Sequence, residues 1–554
     1  MRKHRLFYIN HKEICMKKNV FFAIAFITLM AVAMPLSAQR GGRGDSSGGQ
    51  GGTTPTPTPT APTTPTTPST ATAAGGFQMS GTTLTGYTGT SASVTIPNGV
   101  TRIENSAFSY NTNITSVTIP SSVTSIGVGA FRNCTKLAGI TIPNSVTSIG
   151  EGAFNETAWL NSQPNGVVYL VQLAYTYKGN MPANTNITLV NGTKGIVSNA
   201  FSYQTNLTGI TIPNSVTSIG EIAFQGCAGL TAVTIPGSVA SIGKDAFLEC
   251  HNLTAINVDS GNTAYSSTDG VLYNKNKTAL IQYPPKKAAT AFTIPNSVTR
   301  IEEGAFAYNK IITGVTIPSS VTRIEEGTFR GCTRLASITI PNSVTRIGKG
   351  AFADTAITSL SFIPSSVTSI EQGAFYSPSL RSVTIPNSIT RIEDRAFAES
   401  KLTSVTISNS VTYIGDVAFV GFENGSTQNQ LTTVTIPNSV THIGDGAFYG
   451  NPLTSLTLGN SVKTIGTWAF SRTRLTSVTI PASVTGIGRE AFFDCPNLTS
   501  VTFQGTIPAS GFGNNPGYYP FPGDLLTKYL AGGPGTYTAA RKQGDGWAVV
   551  WTKR

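Results

Sequence analysis

Histidine is nearly missing from this chain: there are four in 554 residues, and only His251 and His442 lie beyond residue 38. Such scarcity leaves little material for a His-dependent triad or a zinc site. Cysteine is also scarce, at six, and no Cys-x-x-Cys pair occurs, so clustered metal or redox chemistry lacks its ligands. No glycine-rich phosphate loop follows a strand. Charged residues make up only 12%. The net charge of +12 falls to +7 without residues 1–38, which carry six Lys or Arg against Glu13. Spread along the chain with acidic groups between, that charge is no nucleic-acid footprint, which needs a clustered basic stripe. The longest apolar run, Val20 to Met34, is too short and wrongly flanked for a membrane span.

What fills the chain instead is repetition. Leu137–Phe154, LAGITIPNSVTSIGEGAF, recurs in variants from Val94 to Phe492. Pro marks the register at 97, 120 and 143, at 213 and 236, and at 295, 318, 341, 364 and 386. Phe keeps the same clock at 108, 131, 154, 201, 224, 247, 306, 329, 352, 375, 397, 419, 448, 470 and 492. A period of 22–23 residues, kept in eleven of the fourteen steps between these fifteen Phe, predicts about fifteen coils of a leucine-rich solenoid.

The repeat has two halves. In Leu-x-x-Val-Thr-Ile the β-branched residues favour a short strand, and the Pro that follows cannot donate to a ladder and stops it. Val, Ile, Ala and Phe in the second half turn the chain back over the strand, so the coils share a continuous core and no coil is stable alone. Cys134, Cys227, Cys250, Cys332 and Cys495 each stand three residues after a repeat Phe, which argues for packing. Only Cys227 and Cys250 fall in successive coils, where a disulfide or two free thiols are both open readings.

Carboxylates recur just before the Ala-Phe step, as Glu151, Glu221, Asp245, Glu302, Glu303, Glu325, Glu326, Glu371, Glu393, Asp394, Asp416 and Asp445. Paired carboxylates suit glycoside hydrolysis. Here they repeat with the coil beside Arg102, Arg300, Arg323, Arg346 and Arg391, which reads as a solvated outer charge ladder and not as an enzyme. Stacked about 4.8 Å apart, some fifteen strands give a parallel sheet on the order of 70 Å long. Its outward positions carry Thr118, Thr141, Thr211, Thr234, Thr316, Thr339, Thr384, Thr406, Thr435 and Thr479. This almost uncharged hydroxyl face suits binding through many modest hydrogen bonds. It equally suits a plain exposed strand, where β-branched polar residues are at home.

The repeated segments, Gly209–Phe224 (GITIPNSVTSIGEIAF) among them, resemble the BspA-type (Treponema-type) leucine-rich repeat proteins of bacterial surfaces over about residues 77–503. The resemblance implies a right-handed leucine-rich-repeat superhelix with a long parallel β-sheet on one face and short turns or 3-10 segments on the other. It also implies a secreted or surface-exposed adhesin that contacts fibronectin- or fibrinogen-like matrix proteins or other cells. A glycan- or polymer-binding scaffold using the Thr face and the hairpin tyrosines is the alternative. No cofactor is implied.

Around the repeats, residues 1–38 read as a secretory signal peptide with cleavage after Ala38, Met16 being an alternative start. Residues 39–76 form a Gly-rich and Thr/Pro-rich linker, flexible and then semi-stiff. Within it lies Arg43-Gly44-Asp45, the tripeptide of integrin ligands, which chance also supplies in a Gly-rich chain. Hairpin insertions with Tyr on their strands are expected near 156–186 and 258–290, as docking surfaces or as covers for a kink in the stack. Phe422–Gln430 reads as a loop insertion. Residues 504–554 leave the repeat and form a carboxy-terminal cap, with a short helix starting at Asp524 and apolar weight from Trp547 and Trp551.

Overall fold

The computed structural model describes residues 71–73, 75–421, 429–513, 519–541 and 549–554. The expected leader, most of the linker with Arg43, Gly44 and Asp45, residues 422–428 and Trp547 lie outside the described residues. From Pro68 onward the chain is one unit. It is a parallel β-solenoid of about 18 turns with very little helix. Most coils place one strand in each of two parallel ladders; the coil ending at Phe375 has only the second. The first holds the Val-Thr strands, as in Thr95 beside Thr118 beside Thr141. The second holds two-residue strands ending in Ile, as in Ile392, Ile414, Ile443, Ile465 and Ile487.

Between the ladders every coil makes the same tight bend. The residue two before the repeat Phe has φ between +48° and +66° in all fifteen coils, from Ser106 to Glu490. This left-handed step reverses the chain and drives Ala and Phe inward. Seven coils supply Gly there, and eight do not, including the β-branched Ile222 and Val417. The Phe rings then stack in a column at successive centroid distances of 4.8–6.0 Å. Tyr87 prolongs the column below Phe108, Tyr283 below Phe306 and Phe521 above Phe492.

The core is not continuous, as the repeat alone suggests, but divided into three segments, within 77–197, 174–272 and 271–551. The divisions fall at two hairpins, Gly166–Leu170 with Leu173–Lys178, and Val271–Asn274 with Ala279–Gln282. A coil strand has core on one side and solvent on the other; these strands have core on both. Val168, Leu170, Leu173 and Tyr175 pack into the first segment, while Ala174 with Val167, Tyr169 and Tyr177 faces the second. Likewise Val271, Tyr273 and Leu280 join the third segment and Leu272 the second. The period-2 alternation of a strand thus sends successive side chains into different cores. Each hairpin then hands over to the second ladder by parallel pairing, Ala174 with Ile196 and Leu280 with Ile301. The strand pair Phe77–Ser80 and Thr83–Tyr87 makes the same handover at the amino-terminal end, Leu84 with Ile103.

At the other end Ser500–Phe503 pairs antiparallel with Gly535–Arg541, which pairs with Val549–Lys553, closing the stack. The helix Leu525–Gly532 lies against this sheet. Asp524 precedes it but does not cap it by its side chain; its Oδ1 accepts from the Trp551 backbone N–H at 2.8 Å. Trp551 is buried and donates Nε1–H to Pro522 O at 2.9 Å.

Candidate binding face

Threonine occupies three places in the coil, and their hydroxyls have different fates. The Thr before each two-residue strand donates to a carbonyl one coil back, as Thr124 to Thr101 O (3.2 Å), Thr217 to Lys194 O (3.1 Å) and Thr412 to Thr390 O (3.1 Å). The Thr before each Val-Thr strand does the same, as Thr115 to Ala92 O (3.0 Å), Thr231 to Thr208 O (3.2 Å) and Thr313 to Thr290 O (3.0 Å). Ser after Pro joins in, as Ser343 to Val321 O at 2.7 Å. These bonds hold coil to coil.

The third place, within the Val-Thr strand, is different. Thr118, Thr141, Thr211, Thr234, Thr316, Thr339, Thr384, Thr406, Thr435 and Thr479 are all exposed. No hydroxyl of these ten bonds to another described residue. Several lie directly side by side: Thr118 with Thr141, Thr316 with Thr339, and Thr384 with Thr406. The structure therefore gathers these residues on one face, but as a run of separate sheets two to four strands wide. Where ladders continue, the residue after the strand donates to the Thr of the next coil, as Ile119 N to Thr141 O (3.1 Å) and Leu189 N to Thr211 O (3.1 Å). Between Ile212 and Thr234 that bond has no counterpart. A trough of about 310 Å³ opens there, lined by Asn186–Thr188, Gly209–Thr211 and Ala232–Thr234.

Three of the hairpin tyrosines turn fully inward. Tyr175, Tyr273 and Tyr283 are buried. The Tyr175 hydroxyl accepts from Phe154 N at 2.8 Å, that of Tyr169 from Val190 N at 3.1 Å and that of Tyr265 from Ile242 N at 2.8 Å. The three buried rings seal the coil beside the hairpin and offer no face to a glycan, while Tyr169, Tyr177 and Tyr265 are half-buried. Burial pushes the Tyr273 and Tyr283 phenols up to about 12.

The cysteines are free, Cys227 and Cys250 included, which closes the disulfide reading. Each thiol donates to the carbonyl of the Phe one coil earlier: Cys134 to Phe108 O (3.0 Å), Cys227 to Phe201 O (3.0 Å), Cys250 to Phe224 O (3.1 Å), Cys332 to Phe306 O (3.1 Å) and Cys495 to Phe470 O (3.3 Å). Ser400 makes the equivalent bond to Phe375 O at 3.2 Å. Burial pushes the Cys227 and Cys332 thiols up to about 12.

The carboxylates are half-exposed or exposed, and several are partnered. Arg102 meets Glu104 at 3.3 Å and Arg391 meets Glu393 at 2.9 Å, Arg300 bonds Glu302, and Arg346 reaches Glu371 of the next coil at 2.5 Å. Glu371, Glu393 and Asp394 line a second trough of about 340 Å³ with Lys349. Three aspartates have a duty that a solvated ladder does not foresee. Asp394, Asp416 and Asp445 each accept the backbone N–H of the next coil, from Asp416 (2.9 Å), Asp445 (2.8 Å) and Thr467 (2.7 Å). Asn105 does this for Val128 at 2.8 Å. A short acceptor at a fixed place three before the Phe is the sequence signal for this role. Among the described residues no three His, Cys, Asp or Glu come together to hold a metal, and no helix is long and apolar enough to cross a membrane.

A family model described as the BspA type leucine rich repeat region matches in six copies, over residues 87–165, 174–286, 299–426 and 422–515. Similar solved structures include a leucine-rich cell surface protein of Faecalibacterium prausnitzii, 30% identical over 61% of this chain and 92% of that one, with a TM-score of 0.39. A leucine-rich repeat protein of Eubacterium ventriosum is 29% identical over 67% and 88%, with a TM-score of 0.41. The pneumococcal vaccine antigen PcpA is 24% identical over 67% and 88%, with a TM-score of 0.39. Comparison with curated proteins finds no match. A repeat that runs through most of the described chain, with its Phe column and paired ladders, is the one that model captures: the chain belongs to the BspA-type leucine-rich repeat family.

Proposed function

We propose that this protein is a secreted or cell-surface adhesin whose Thr face contacts an extracellular protein of the fibronectin or fibrinogen kind, or a partner cell. One observation carries the reading: of the three Thr positions in the coil, two bind the solenoid to itself and the third keeps its hydroxyls free along one exposed face. A face of this kind offers many directional but uncharged contacts, which suits a broad protein surface with a polar rim. Membership of a family with surface-protein relatives supports the location. Arg43-Gly44-Asp45 offers a second contact, to integrins.

The test is saturable binding of the full chain to immobilised fibronectin and fibrinogen, compared with a Thr316→Val, Thr339→Val, Thr384→Val, Thr406→Val variant. Valine keeps the β-branched shape and removes only the hydroxyl. Binding that weakens at least about tenfold in this variant supports the face. Undiminished binding refutes it, and no saturable binding refutes the matrix-protein partner. Asp45→Ala on integrin-bearing cells separates the tripeptide's part.

A further inference from the structure

We infer that this protein pairs with a second copy of itself, antiparallel, along the edge formed by its bends, with Tyr308 on the two-fold axis. The observation behind this is a period three times that of the coil. Of the fifteen repeat Phe, the first, fourth, seventh, tenth and thirteenth are followed within two residues by a tyrosine: Tyr110, Tyr203, Tyr308, Tyr376 and Tyr449. None of the other ten is. Tyr110 and Tyr203 are 70% and 53% exposed, and the other three are half-buried.

Packing within the chain does not account for these rings. Tyr110, Tyr203 and Tyr308 stand at φ of +61°, +59° and +62°, a left-handed conformation that is costly for a bulky side chain. Burial does not offset that cost for the first two, which stay largely in solvent. The next coil instead clears a bed for the ring. A Cβ on Gly226 would stand 2.5 Å from Tyr203 Cδ1, and one on Gly331 would stand 2.6 Å from Tyr308 Cδ1. Strain kept at an exposed place points to a contact that the lone chain does not make.

The charges beside the tyrosines select the contact. Along the edge the order is Tyr, then Arg, then a carboxylate, in three successive coils: Tyr110, Arg132, Glu156; Tyr308, Arg330, Asp354; and Tyr449, Arg472, Asp494. Gln225 takes the arginine's place between Tyr203 and Glu249, and the coil after Tyr376 carries Arg395 and Glu399 together. Backbone bonds hold neighbours side by side, as Tyr110 N to Arg132 O (2.8 Å) and Tyr308 N to Arg330 O (2.7 Å). Glu249 of the coil before and Arg330 and Asp354 of the coils after all act on the Tyr308 phenol. Read backwards, a repeating order of Tyr, Arg and acid becomes Tyr, acid and Arg. Laid against its own reverse it sets ring on ring and each charge on its opposite, the self-complementarity that a two-fold interface requires. With the axis at Tyr308, Arg330 meets Glu249 of the second copy, Tyr203 meets its Tyr376 and Tyr110 its Tyr449. A polymer of one charge sign would be repelled by half of this row. Thirteen coils at about 4.8 Å make a strip roughly 60 Å long, and a width of about 13 Å brings it to the roughly 800 Å² per partner of a standard interface.

The test is sedimentation equilibrium of the full chain from about 1 to about 100 µM, where we expect the mass to rise from one chain towards two. Arg330→Glu and Glu249→Arg should each weaken association at least about tenfold, because like charges then meet twice across the axis. The two substitutions joined in one chain should restore association of that variant with itself. In a mixture with one component fluorescently labelled, the joined variant should not pair with the parent, a selectivity that repair of a contact inside one chain would not produce. Tyr308→Ala should weaken association as well. A single chain at every concentration, association unaltered by Arg330→Glu, or a joined variant that pairs equally with the parent would each overturn the proposal. Far-UV circular dichroism confirms that each variant is folded. Failure here leaves the Thr face standing, because that face is probed by threonines on the Val-Thr strands and not by the bends.

Discussion

Two glycines of one core segment test whether the coil's bend is set by backbone preference or by crowding. Gly350, two before Phe352, has φ +59°, and a Cβ built on it would meet nothing within 4 Å. Gly466 is not in the left-handed region, yet its Cβ would lie 2.5 Å from Gly444 C and 2.6 Å from Asp445 N of the coil below. At Gly350 the only obstacle is the left-handed conformation, which costs an L residue roughly 1–2 kcal/mol. The lower unfolded-state entropy of Ala returns about 0.4–1 kcal/mol. Gly350→Ala should therefore lose about 1 kcal/mol, Gly350→Val more, and Gly350→Asn least, since Asn tolerates this region. At Gly466 the cost is overpacking against backbone, about 1–3 kcal/mol for Ala, and Asn should be worse than Ala because it is larger. The assay is guanidinium unfolding followed by circular dichroism, with ΔΔG taken from midpoint shifts at constant m. The reasoning fails if Asn costs as much as Val at 350, or if Asn rescues 466. Eight coils already bear this strain at the equivalent place without Gly, among them Ile222 and Val417.

Three further outcomes follow from other contacts. Cys332→Ser should be nearly neutral by thermal unfolding, because Ser400 already makes the same bond to a Phe carbonyl, whereas Cys332→Ala should cost about 1 kcal/mol, by removing one of the two donors to Phe306 O, which keeps the Asn309 N–H, and by opening a small void. The Asp245 carboxyl is pushed up to about 6, first by burial and then by Glu303, Glu326 and Glu221 against the pull of Lys244. A raised carboxylate pKa costs stability where the group is ionised, so stability should rise as pH falls from 7 through 6, and Asp245→Asn should flatten that rise in a pH series of unfolding midpoints. Val123→Asp, a charge placed in the first core segment, should remove hydrogen-exchange protection from coils before Phe154 and leave it intact beyond Val271; loss along the whole chain would show that the hairpins do not separate the cores.

The repeat, the solenoid and the inward Phe are legible because Pro and Phe fall at fixed intervals, and one residue type at one place has one fate. Threonine is where that reading stops. Thr115, Thr118 and Thr124 look alike in sequence, but two reach a carbonyl one coil back and one does not, and only the stacked geometry distinguishes them. The three-part core was also hidden, although Val167-Val168-Tyr169-Leu170 is an unbroken apolar run, the pattern of a strand buried on both faces. Reading it for its tyrosines left a docking surface and a cover for a kink in the stack both open.

The hairpins that part the core also free the protein's length from its ends. Every coil inside a segment touches only its neighbours, and each hairpin presents a finished surface to both sides. A gene that gains or drops one 23-residue unit within a segment therefore meets the same wall as before. The reach of the binding face can drift by single coils over generations while the terminal caps and both walls stay unaltered.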